Sequence, residues 1–114
     1  MVKRFAIVLL VLASSPLAAR AMTPDQIISA SRSYEGRPVE VTGRVTHLRA
    51  RRVPNGTTYV RFLLCATRCI EAVASGVSRL TEGETITVHG TYYGWRNFST
   101  YTVHNGIVVD PGSL

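Results

Sequence analysis

The chain has 114 residues, 46% of them apolar, and thirteen Lys and Arg against seven Asp and Glu, for a formal charge of +6. That length holds one small domain with a modest core and excludes two. Without Lys3, Arg4 and Arg20, which belong to an N-terminal leader, the balance is ten arginines against seven acids, or +3, a mild surplus for a dedicated nucleic-acid binder.

The leader is expected over residues 1–21. Lys3 and Arg4 give a basic start, Phe5–Ala13 an apolar run, and Ala19-Arg20-Ala21 an Ala-x-Ala exit site, the pattern of a secretory signal peptide. The run is nine residues long, short of the roughly 20 that a membrane span needs. The expectation is export to the periplasm or beyond, as a monomer with no membrane span, leaving one domain over residues 22–114. Export makes a disulfide the default state of Cys65 and Cys69. Three residues separate them, where a redox pair has two, and no further ligand stands beside them for a metal.

Thr23-Pro24-Asp25-Gln26 predicts a helix start: a capping Thr, a Pro at the first helical position and a Gln closing a capping box. Ile27, Ile28, Ala30, Ser31 and Tyr34 give that short helix an apolar side, and it stops near Gly36 and Pro38. Glu35–Val53 then predicts one long, bent strand. Val39, Val41 and Val45 alternate with polar residues, and Gly43 leaves room for a close backbone approach. After Thr46 the parity slips by one, so that Leu48 and Ala50 turn inward and Arg49 and Arg51 outward, the mark of a β-bulge. Asn55-Gly56 predicts a hairpin turn. Thr58–Cys65 follows, with Val60, Phe62 and Leu64 on one face and Tyr59, Arg61 and Leu63 on the other.

Cys65 and Cys69 flank a hairpin tip, which brings them within disulfide reach. Cys69–Ala74 is a third strand, and Ser75–Leu80 a short helical or turn connection. Thr85–Tyr93 is a fourth strand with Ile86, Val88 and Tyr92 inward. Gly94–Ser99 reads as a loop, and the last strand, Thr100–Val109, breaks near Asn105-Gly106. Five short strands with turns between them predict a small antiparallel barrel.

The run Val39-x-Val41-x-Gly43-x-Val45, the strand Tyr59-x-Arg61-Phe62-x-Leu64 and the stretch Leu80-Thr81-Glu82-Gly83-Glu84-Thr85-Ile86-Thr87-Val88-His89-Gly90 resemble the OB-fold domains of the tRNA-anticodon type. The helix and leader in front of them resemble exported bacterial OB-fold proteins. The resemblance implies an all-β, five-stranded Greek-key barrel with an N-terminal helix and a short helical turn between strands three and four. Members of that superfamily bind single-stranded nucleic acid, oligosaccharides or proteins, so the fold alone does not select a ligand.

Charge clustering points to a binding surface. Between Arg44 and Arg68 stand six arginines and no acid. Arg44, Arg49, Arg51, Arg52, Tyr59 and Arg61 lie on the first two strands. Trp95, Arg96 and Phe98 lie in the expected loop between the fourth and fifth strands, which borders the same groove in an OB-fold. Rings that stack on bases beside guanidiniums that meet phosphates make a single-strand groove, and single-stranded nucleic acid or another polyanion is the expected partner. An envelope protein or oligosaccharide meeting the same rings is the alternative, and outward arginines also suit a solvated strand face.

His47, His89 and His104 are all expected to face outward, on strands that neighbour one another in such a barrel. The exported haem chaperone of cytochrome c maturation shares the barrel, but its His-x-x-x-Tyr motif is absent here: His104 is followed by Asn105-Gly106-Ile107-Val108. No cofactor is expected. The few carboxylates fall at turns or outward positions, and no nucleophile elbow or phosphate loop appears, so no enzymatic activity is expected either.

Overall fold

The computed structural model describes residues 21–52, 58–76, 79–99 and 101–114. Residues 1–20 of the expected leader, Val53 and the Asn55-Gly56 turn lie outside them.

Two short helices lead in. In α1 (Pro24–Ser29) the Thr23 hydroxyl accepts the Gln26 N–H, and the Gln26 side chain accepts the Thr23 N–H in return. This is the capping box expected from the sequence. Ala30, at φ −133°, ends that helix, and α2 (Ser31–Tyr34) restarts it, so the single expected helix is two. Ile27 is fully buried in the core among Val41, Leu64, Ile70 and Tyr92.

Five strands follow: β1 (Pro38–Arg52), β2 (Thr58–Cys65), β3 (Cys69–Ser75), β4 (Thr85–Asn97) and β5 (Thr102–Val109). They close into a ring in the order β1-β2-β3-β5-β4, with β4 returning to pair with β1. All neighbours are antiparallel except β3 and β5, which run parallel through Glu71↔Gly106, Ala72↔Ile107 and Val73↔Val108. No helix among the described residues is long and apolar enough to cross a membrane.

The period-2 pattern of the sequence becomes the ring's interior. Val39, Val41 and Val45 of β1, Phe62 and Leu64 of β2, Val88 and Tyr92 of β4 and Ile107 of β5 are all buried. At Gly43 β1 lies close against β2: a Cβ there would stand 2.9 Å from Leu64 Cγ and 3.1 Å from the backbone of Cys65. Cys65 and Cys69 are cross-strand partners at the β2–β3 hairpin tip and form a disulfide, with Cα atoms 4.0 Å apart.

Several boundaries differ from the expectation. The first strand starts at Pro38, because Glu35 and Gly36 form a turn. There Gly36 is at φ 71°, and its N–H donates to the Tyr92 carbonyl. The fourth strand runs on to Asn97, since Trp95, Arg96 and Asn97 pair with His104, Val103 and Thr102. The fifth strand is continuous through Asn105-Gly106. Asn105 sits at φ 47°, which kinks it without ending it, and its amide oxygen accepts the Tyr92 hydroxyl at 2.5 Å. Ser75, the start of the expected helical turn, ends β3, and in the connection from there to β4 the described residues, Gly76 and 79–84, are not helical; Val77 and Ser78 lie outside the description.

Candidate ligand groove

The groove begins at the bulge. Pairing of β1 with β2 runs Thr46↔Leu63, then resumes at Arg49↔Arg61, with His47 at φ 53° between them. The displaced Leu48 N–H finds a partner outside the ladder, in the Glu82 carboxylate at 2.7 Å. Gly83 and Glu84 tie the same turn to Val45 through backbone hydrogen bonds. A bulge resets side-chain parity. Here it presents Arg49 and Arg51 beside Tyr59 and Arg61 of β2, and these residues line a groove of about 440 Å³. His47, Phe62, Leu63, Glu71 and Tyr101 complete the lining.

Arg61 is held more firmly than the sequence suggests. Its Nη2 stands 2.7 Å from Glu71 Oε1, and its Nε donates to Glu71 Oε2 at 3.0 Å. Nη2 also donates to the Thr102 carbonyl at 2.8 Å, and the guanidinium lies over the Tyr101 ring, 5.8 Å from its centre. Partners on β3, on β5 and in the β4–β5 connection therefore fix one side chain, and its charge is met by a carboxylate. Arg61 is not the free cation the sequence reading expected.

Tyr101 is not among the expected site residues, yet it links the aromatic residues. Tyr59 and Tyr101 rings lie 5.1 Å apart, Tyr101 and Phe98 5.3 Å, and Phe98 and Tyr93 5.6 Å. These spacings are those of rings packed on one another, so a base can stack on an outer face but not between them. The chain of rings carries the β4–β5 connection across to β2. Burial pushes the Tyr101 hydroxyl above its ordinary pKa, with the Arg61 charge pulling the other way. Arg96 lies 5.2 Å from the centres of both Tyr93 and Phe98, contacts worth about 0.5–1 kcal/mol at an exposed site. Trp95 does not join. It is 59% exposed and meets His104 edge-on at 6.3 Å.

The remaining expected site residues separate. Arg44 precedes the bulge, opposite Cys65 and Thr85, and Arg52 pairs with Thr58; neither lines the groove. Arg68, the last of the clustered arginines, is a strut. Its N–H donates to Asp25 and its guanidinium to Ser29, which clamps α1 to the disulfide loop.

The disposition of the acids decides the electrostatics. All seven lie among the described residues. Asp25, Glu35, Glu82 and Glu84 accept backbone N–H groups of Arg68, Gly94, Leu48 and Thr81 respectively. Glu40 stands 4.0 Å from His89, and Glu71 takes Arg61. Most carboxylates thus fasten the backbone, and none forms an ion pair with Arg49 or Arg51.

The three histidines lie apart in their surroundings: His47 in the groove, His89 beside Glu40, His104 under Trp95. Among the described residues no group of three or more potential ligands is placed to hold a metal ion. No protein-family model, curated protein or solved structure matches the chain significantly.

Proposed function

We propose that this is an exported OB-fold binding protein that holds single-stranded nucleic acid, or another polyanion, in the groove between β1, β2 and the β4–β5 connection. The neighbouring of β1, β4 and β5 supports the OB-fold reading. So does the position of the groove, since OB-folds bind on the strand 2–3 face and the flanking loops. Export rests on the basic, apolar and Ala-x-Ala pattern of residues 1–21. The observation that carries the ligand class is the pair Arg49 and Arg51. No acid forms an ion pair with either, and both line the groove with Tyr59 and Tyr101. Residues two apart on a strand share a face, so the two guanidiniums can follow successive charges of one chain.

The test is fluorescence anisotropy of a labelled single-stranded oligonucleotide over a salt series. Binding is expected at low salt and should weaken as salt rises. Arg49→Ala with Arg51→Ala should cut the slope of log K against log salt by about 1.4, or roughly 0.7 per lost phosphate contact. Trp95→Ala should leave binding unchanged. An absence of binding at low ionic strength would overturn this reading in favour of the envelope-protein or oligosaccharide alternative.

A further inference from the structure

The chain spends its one Arg–carboxylate ion pair among the described residues inside the groove, with the Arg61 and Glu71 side chains 22% and 25% exposed. Guanidinium has five N–H donors. The Nε and Nη2 hydrogens go to Glu71 and Thr102, while Nη1 has no partner among the described residues. Each Glu71 oxygen accepts one bond from Arg61, and a carboxylate oxygen can accept two. The result is a rigid edge with donors and acceptors side by side and little net charge. Such an edge is ill suited to phosphate, which the carboxylate repels. It suits a flat, neutral group that both donates and accepts, lying against the neighbouring faces of Tyr59 and Tyr101.

We infer that the Arg61–Glu71 pair meets the hydrogen-bonding edge of a nucleobase, while Arg49 and Arg51 hold the backbone. This rests on the polyanion reading and narrows it to base-bearing chains. Arg61 then contributes contacts that salt does not weaken, and a bare polyanion gains nothing from it.

The test compares three probes of equal length across a salt series: a single-stranded oligonucleotide, the same chain with abasic residues, and inorganic polyphosphate. The unmodified protein should bind the base-bearing chain about tenfold more tightly than the abasic one, within the range that base contacts supply. Glu71→Gln releases the Arg61 charge. It should shrink that ratio, tighten polyphosphate binding and steepen the salt slope by about 0.7. Arg61→Lys, which keeps a cation beside Glu71 but removes the planar guanidinium and its Nη1 donors, should shrink the ratio at unchanged slope. If Glu71→Gln weakens all three probes alike, or if neither variant moves the ratio, the base-edge role is overturned and polyanion binding stands. If no probe binds the unmodified protein, the polyanion reading itself fails.

Discussion

The carboxylate of Glu82 accepts the Leu48 N–H that the β-bulge leaves outside the ladder. An unpaired backbone donor is costly, and a carboxylate is its strongest partner. Because both groups are exposed, Glu82→Ala should cost about 1 kcal/mol, below the 1.5–3 kcal/mol typical of charged hydrogen bonds. In a domain of this size that is a fall in Tm of roughly 4–8 °C. Thermal unfolding followed by circular dichroism measures it. Oligonucleotide affinity should fall with it, because the same bulge aims Arg49 and Arg51.

Stability should decline at alkaline pH through Tyr92. Burial raises its pKa above the ordinary 10.0, a Ser31 hydroxyl opposes the shift, and the Glu35 charge adds to it. The folded protein therefore keeps the phenolic proton more tightly than the unfolded chain. That stability is complete below pH 10.0 and is lost as pH rises through the raised value. Tyr92→Phe should cost about 1 kcal/mol near neutrality for the lost bond to Asn105. It should also flatten the alkaline decline, leaving the share owed to Tyr101. Urea midpoints from pH 7 to 11 separate the two effects.

Gly90 stands where β4 meets β5. A Cβ there would come within 2.2 Å of the Val108 carbonyl oxygen, which is backbone and has little room to yield. Gly90→Ala should cost at least the 1–3 kcal/mol typical of overpacking. Gly43→Ala, whose nearest contact is the Leu64 side chain at 2.9 Å, should cost less. Chemical denaturation of the two variants side by side tests the ranking.

What the sequence disclosed was mostly local. The capping box at Thr23 and Gln26, the parity slip after Thr46 and the facing cysteines are each set by residues a few positions apart, and each reappears in the structure. The extension of β4 through Asn97 was hidden, because Gly94 and Asn97 are residue types that strands disfavour, and the pairing that carries the strand past them is with distant β5. The role of Tyr101 is hidden in the sequence for a related reason. Its rank comes from Tyr59 on β2, a ring that meets it only after closure. The neutralisation of Arg61 was within reach. With Cys65 opposite Cys69, the hairpin register sets Leu63 against Glu71 and leaves Arg61 one diagonal step away.

The parallel contact of β3 with β5 has a bearing on how the molecule assembles. It joins Glu71–Val73 to residues more than thirty positions later through only three pairs, whereas β1, β2 and β3 form a meander of near neighbours. Loop-closure entropy makes such distant parallel pairings slow to form. The meander is thus the local unit of the fold, whereas this seam, like the still more distant β1–β4 pairing, forms only by closing a long loop. Since β5 also carries Thr102, whose carbonyl Arg61 grips, the groove reaches its finished shape only when the seam shuts.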